Sequence, residues 1–490
     1  MVCSVARAET WRVETFGSVA ATATNNVNLA PPGQEKPDLY FSLAPGIRVV
    51  GDGARLKLSA TYVPTFVLYT NTASAGGNRI YNNLSANASL EAIEKFFFVD
   101  ARWTISNQFI NPFAPQPQNL GTNTNNRSQV STYGISPYFR GVVPGGGTRY
   151  LLRNDAYWID PSGAGQLSSF YNTVTGLLEN TVQTVGWGLD YLSHYSKYVN
   201  SNSVSDWLAR ARLIYRVDPQ LNVFVSGGYN ENNYALSNQA GPTYGGGFTW
   251  RPTQRTNVVA NYEHRFFGAS YLFSFDHRTP LTAWNLSASR NISSYPQQAL
   301  ALPPGNTASL LDSIFAARIP DPAARAAAVD RFIQQAGLPE FLAGPQSFYT
   351  QQIFLTQPIS ASFGILGVRN TITFLASRTF YERISGTTGT PLPDVFALSN
   401  QFISYLVSVN WSHQLTGLTT MNLYGSWNRV NNEEPTVFTS TTNLVRLTFT
   451  TRLSPKTDTT FGARYTIFNT DLGSDYREAA IFALVTHRFY

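Results

Sequence analysis

Arg210, Arg212 and Arg216 share one parity within a single segment, so an extended chain turns all three side chains to the same side. Guanidinium groups aligned in this way attract anions and hold carboxylate or phosphate oxygens in a two-pronged geometry. The same alternation in other segments aims Arg102, Arg265, Arg278, Arg446, Arg452 and Arg464 to that side, together with Asp100, Glu263 and Asp276. Two readings follow. A row of arginines with few carboxylates gives a positive field in a narrow aqueous passage, which favours anions. Alternatively, the arginines pair with the acids into a structural network that fills the interior.

Little else in the sequence suggests chemistry. The five histidines, His194, His264, His277, His413 and His487, form no H-E-x-x-H pair and show no zinc-ligand spacing. There is no G-x-S-x-G nucleophile elbow and no G-x-x-x-x-G-K phosphate loop. Gly145-Gly146-Gly147 reads as a turn, and Gly245-Gly246-Gly247 as a strand where glycine relieves crowding. No catalytic residue, metal ligand or cofactor is expected, and the chain is not expected to be an enzyme.

Composition narrows the class. Charged residues make up 13% of the 490, about half the usual globular share, while aromatic residues reach 14%. Mean hydropathy is only -0.16, so the polarity comes from Ser, Thr, Asn and Gly. These neutral residues suit a wall that is wet on one side and apolar on the other. No run approaches the roughly 18 apolar residues of a membrane helix, and a membrane protein without such helices must be a closed barrel. The net charge is +6, but the arginines stand singly and no basic run occurs, which argues against nucleic acid as a partner.

The elements that must carry the arginines are strands. Ala209, Ala211, Leu213, Tyr215 and Val217 oppose Arg210, Arg212, Ile214 and Arg216, and Asp218-Pro219 makes the turn. Val223, Val225, Gly227 and Tyr229 then oppose Asn222, Phe224, Ser226 and Asn230. Val99, Ala101, Trp103 and Ile105 oppose Phe98, Asp100, Arg102 and Thr104; Ile403, Tyr405, Val407 and Val409 oppose Ser404, Leu406, Ser408 and Asn410. Alternation over about ten residues is the mark of a transmembrane barrel strand. Short turns at Gly51-Asp52-Gly53, Asp218-Pro219 and Ser454-Pro455-Lys456 fall between long polar loops at 108–127, 383–399 and 431–440. We therefore expect an all-β, transmembrane antiparallel barrel of about 22 strands, within 18 to 22, in the outer membrane; bacterial barrels have an even strand number. The stretch 160–206 is the hardest to divide into strands. A barrel of this size is too wide for wall side chains to fill, so its lumen holds water or a plug.

One segment breaks the pattern. Residues 307–342 read as helical, with Asp321 as N-cap, Pro322 at the first position, Val329, Phe332, Ile333 and Ala336 at helical spacing, and Gly337 as terminator. It is either a lid folding into the mouth or an ornament on the rim. Residues 1–8 read as the remnant of a signal peptide, with Cys3 the only cysteine and Ala6-Arg7-Ala8 a cleavage box, leaving 9–490 as one barrel. The terminal Phe489 and Tyr490 have the form of an outer-membrane assembly signal, with Ile481, Ala483, Val485 and Phe489 on the apolar face.

Residues 248–290 are more specific. Trp250-Arg251-Pro252-Thr253-Gln254-Arg255-Thr256, Arg265-Phe266-Phe267-Gly268-Ala269-Ser270-Tyr271, His277-Arg278 and Trp284-Asn285-Leu286-Ser287-Ala288-Ser289-Arg290 follow one another. With Ala44-Pro45-Gly46, and the run Ile319-Pro320-Asp321-Pro322 to Gly337-Leu338-Pro339, they resemble the PEP-CTERM system-associated outer-membrane β-barrel family. The likeness spans most of the chain, and its specific motifs occupy about a fifth of it. Two departures are the incomplete signal peptide and Tyr490 after the expected Phe489.

The resemblance implies a place beside exosortase and exopolysaccharide systems and a role in envelope or polysaccharide export. It brings no catalytic residues. Expected partners are outer-membrane lipid, the outer-membrane assembly machinery, and a polysaccharide or periplasmic export proteins. Three functions stay open at this point: an export pore, a general anion-preferring porin, and a non-conducting scaffold.

Overall fold

A computed structural model describes residues 10–71, 79–117, 119–163, 168–181, 184–199, 203–233, 239–300, 307–316, 318–336, 352–384, 399–434, 436–473 and 475–489. Its strands are β1 Thr10–Thr24, β2 Asp38–Asp52, β3 Leu56–Tyr69, β4 Arg79–Ile93, β5 Phe97–Phe109, β6 Arg127–Val142, β7 Arg149–Pro161 and β8 Ser169–Asn180. Then come β9 Val185–Tyr198, β10 Ser203–Arg216, β11 Leu221–Asn232, β12 Gln239–Thr253, β13 Thr256–Arg265, β14 Gly268–Arg278 and β15 Thr282–Ser293. After the helices α1 Tyr295–Leu300, α2 Thr307–Phe315 and α3 Pro322–Ala336, the sheet resumes with β16 Phe354–Leu366, β17 Asn370–Arg383 and β18 Gln401–Gln414. It ends with β19 Thr419–Glu434, β20 Phe438–Ser454, β21 Thr457–Thr470 and β22 Tyr476–Arg488.

Every strand pairs antiparallel with its chain neighbours, and β1 pairs with β22 from Phe16↔Arg488 to Thr24↔Ala480. The sheet is therefore a closed 22-stranded barrel. Closure removes the free edges that lipid could not hydrogen-bond. The expected strand count and class hold, and 160–206 resolves into the end of β7, then β8, β9 and the start of β10.

Two turn expectations need correction. The ladder continues past the turn residues: β2 extends through Asp52, so that turn is 53–55, and β19 and β20 extend so far that the expected loop 431–440 shrinks to 435–437. Polar loop residues give no signal for where pairing stops, because an end pair needs only backbone groups in register. Most of the expected loop 383–399, and residues 1–8, 337–342 and Tyr490, lie outside the described residues.

The alternation sorts side chains by solvent. Val225 is 60% exposed on the outside, while Asn230 of the other parity is fully buried. Large apolar residues stand exposed on strand after strand, including Val19, Leu68, Leu152, Leu189, Ile359, Val445 and Ile481. Soluble monomers rarely expose apolar patches beyond a few hundred Å². Exposed aromatic residues form two belts. Trp11, Tyr215, Trp250, Trp284 and Trp411 lie near the short turns; Tyr133, Trp158, Tyr229, Tyr244 and Tyr262 lie nearer the long loops. Such girdles sit where hydrocarbon meets headgroups. β1 begins and β22 ends at the short-turn side, which in barrels of this kind is the periplasmic one.

Glycine relieves crowding where expected. A Cβ on Gly245 would lie 2.2 Å from the Tyr262 carbonyl oxygen, so the β12–β13 contact admits no side chain there.

Candidate functional site

The connection from β15 to β16 does not stay at the rim. Ser293 and Phe354 face each other at its base, and the helices described between them leave the wall. Tyr295, fully buried, packs with Val130 and Ile159 and donates its hydroxyl to Gln108 Oε1 at 2.9 Å. Those partners belong to β5, β6 and β7, eight to ten strands around the ring from β15, so α1 reaches the opposite wall at the long-loop end.

The helices α2 and α3 lie inside the lumen. Leu310, Leu311 and Ile314 of α2 and Val329 of α3 are buried in one cluster with the inward residues Ala283, Leu366, Leu375 and Leu406. Phe332 and Ile333 pack against it from α3. Ala283 and Leu366 flank the short turns of β15 and β16, so α2 reaches down to the periplasmic end. Asp321 caps α3 as its sequence position suggests: its Oδ1 accepts from Ala324 N at 2.7 Å, and Pro322 opens the helix. Arg325 Nε donates to Asp312 Oδ1 at 2.7 Å and ties the helices together; Phe315 and Phe332 meet edge-on at 5.6 Å.

A second inward element was read from sequence only as a long loop. The segment 110–126 leaves β5 and crosses the mouth. Phe113, 1% exposed, sits among Phe354, Tyr381, Phe402, Val430 and Phe438, and its carbonyl accepts from Ser440 Oγ at 2.8 Å. Tyr40 donates to Asn119 Oδ1 at 3.0 Å, and Tyr69 to the Gly121 carbonyl at 2.7 Å. Arg127 donates to the carbonyls of Pro117, Asn119 and Leu120. Beneath this segment Arg464 and Glu478 form a bidentate pair, at 2.7 and 3.1 Å, which Thr24 joins at 3.0 Å. The sequence signal was available: Asn111-Pro112-Phe113 and six further prolines or asparagines up to Asn126 set a turn-rich loop in which Phe113 is the one aromatic side chain.

The arginines divide into two sets. Arg210 pairs with Asp190 at 3.1 Å and Glu263 at 3.3 Å; Arg212 pairs with Asp190 at 2.6 Å and Glu179 at 3.0 Å. Arg452 lies 3.6 Å from Asp458, and Arg464 pairs with Glu478. Asp100 binds Arg153 at 2.8 Å rather than Arg102, whose Nε is buried with no acceptor among the described residues. Arg265, 7% exposed, donates to Asn291 Oδ1 at 3.2 Å and lies over the Phe267 ring. Arg446 lies over the Tyr424 ring at 5.1 Å. Among the described residues Arg216 donates to the Thr181 carbonyl and Arg278 to that of Gln254. Asp276 accepts from Asn285 at 2.7 Å and from Ser274 at 3.1 Å.

Arg149, Arg153, Asp155, Glu179, Asp190, Arg251 and Glu478 belong to this inner surface and were not singled out from sequence, although each lies on an inward parity. At the chain end, Phe489 faces outward, and its N–H donates to the Thr15 carbonyl at 2.9 Å.

Arg210, Arg212, Glu179 and Glu263 line a cavity of about 460 Å³ on the inner wall of β7 to β13, with Arg149, Arg216 and Arg251 at its short-turn side. A second cavity, of about 770 Å³, follows at the rim and is lined by Arg251, Arg255, Arg278 and Ser313 of α2, among others.

No family model and no curated protein matches the chain. Among solved structures, the siderophore receptor PirA from Pseudomonas aeruginosa is similar over 98% of this chain and 81% of its own, at 8% identity and a TM-score of 0.47. The outer membrane protein opdK from Pseudomonas aeruginosa covers 98% and 99% at 8% identity and a TM-score of 0.37. OccAB3 from Acinetobacter baumannii covers 97% and 99% at 7% identity and 0.38.

Proposed function

We propose that the chain is an outer-membrane channel held closed by its own β15–β16 insert, and that withdrawal of the insert opens it. One observation carries the reading: α2 and α3 bury their apolar faces against the inward residues of β15 to β18, down to the short-turn end. A lumen of 22 strands is too wide for wall side chains to fill, so an insert packed within it decides whether water passes.

Within this reading the transported material is anionic, and the resemblance to the PEP-CTERM-associated barrels favours export of an acidic exopolysaccharide. Weak contacts repeated along the lumen suit a moving polymer better than one tight site. Phe489, on the outward face of the last strand, acts as the signal to the outer-membrane assembly machinery.

The insert can be removed at its base, because Ser293 and Phe354 are already a strand pair and a two-residue Asn-Gly turn can join them. In planar bilayers the native chain is expected to stay closed for long periods, and the excised form to give steady anion-preferring steps, limited by the 110–126 segment. A native chain that is always open would support the porin instead. A chain silent in both forms would support the scaffold. A deletion strain that still exports normal polymer would remove the export assignment while leaving the channel.

A further inference from the structure

We propose that the short-turn end of the lumen carries a binding site for a linear polyanion, a chain bearing successive carboxylate or phosphate groups. The proposal deepens the channel reading and rests on it. Among the described residues Arg216, Arg251, Arg255 and Arg278 make no ion pair, whereas Arg149, Arg210 and Arg212 beside them do. The paired arginines have their charge met by Glu179, Asp190 and Glu263 and so act as wall. The other four are held in no such pair among the described residues, which leaves their guanidinium groups open to an added anion.

They line two adjoining cavities in succession. Arg216 and Arg251 line the inner cavity; Arg251, Arg255 and Arg278 line the rim cavity, so Arg251 joins the two. The one carboxylate of the rim cavity, Asp276, is already held by Asn285 and Ser274. Four guanidinium groups strung along joined cavities fit a ligand whose charges repeat along a chain better than a compact ion, because each can take one anionic group in fork geometry. Ser313 of α2 lines the same rim cavity, so an occupant lies directly against the helix that closes the lumen.

The test uses the full chain in detergent and isothermal titration with sodium tripolyphosphate, trigalacturonate, orthophosphate and neutral maltotriose. Tripolyphosphate or trigalacturonate should bind, and the tighter of the two identifies the preferred group. Orthophosphate should bind at least tenfold more weakly than tripolyphosphate, and maltotriose not at all. Arg216→Gln with Arg251→Gln should weaken binding of the preferred ligand at least tenfold, while Arg12→Gln on β1 leaves it unchanged. If the double variant fails to assemble, Arg255→Gln, on a turn, should still weaken it severalfold. Equal affinity of native and variant chains, equal affinity for orthophosphate and tripolyphosphate, or no binding of either tripolyphosphate or trigalacturonate would overturn the site. Because binding is read without current, a chain that binds either three-group ligand but is silent in both native and excised forms keeps the site and loses the channel; a chain that binds neither but conducts once the insert is excised does the reverse.

Discussion

The Cβ of Leu310 on α2 lies 3.9 Å from the position a Cβ would take on Gly364 of β16. That is the Cβ separation of a disulfide. With Cys3 changed to Ser, the pair Leu310→Cys and Gly364→Cys should therefore oxidise spontaneously and fix α2 to the wall. If the insert is the gate, the cross-linked barrel stays silent in bilayers, and a reductant restores whatever openings the native chain shows. Openings that persist in the fully cross-linked protein would mean that the current bypasses the insert.

Arg464 and Glu478 anchor the other closure, with side-chain exposures of 6% and 3%. Glu478→Ala leaves a buried guanidinium uncompensated and removes the acceptor of Thr24, so a loss of about 3–5 kcal/mol is expected. Replacing both by Leu should cost far less, since a buried pair repays little beyond its own desolvation. Thermal unfolding in detergent, followed by loss of strand circular dichroism, measures both. The single variant should also make the 110–126 segment more accessible to protease. A double variant as unstable as the single one would contradict this account.

Val225 and Ser226 stand next to each other near the middle of β11 and meet different solvents. Val225→Arg puts a cation into hydrocarbon and should cost about 2–4 kcal/mol. Ser226→Arg puts it into the inner cavity and should cost little. Urea unfolding of the chain in lipid vesicles compares them. Equal costs would mean that the outer face of β11 is not in lipid.

The sequence alone determined the barrel, because its signal is local and repeated. Each strand must alternate lipid and lumen residues, so Leu213 and Arg212 declare their sides without reference to any partner. Asp321-Pro322 likewise marked the start of α3, since a cap is satisfied within its own turn. Parity also identified the inward arginines, but not their partners. Arg153 takes Asp100 from a strand two places away, and Arg210 takes Glu263 from three places away, and the ring geometry that brings them together leaves no trace in local spacing.

Only the tertiary structure decided where the long segments go. Phe113 and Tyr295 each follow a strand end, and both cross to apolar neighbours on the far wall, Phe402 and Phe438 for Phe113 and Val130 and Ile159 for Tyr295, which exclude water from them. The amphipathic faces of α2 and α3 would suit a rim as well as a lumen; the inward Leu375 and Leu406, apolar where the wall is otherwise polar, supply the seat that settles it.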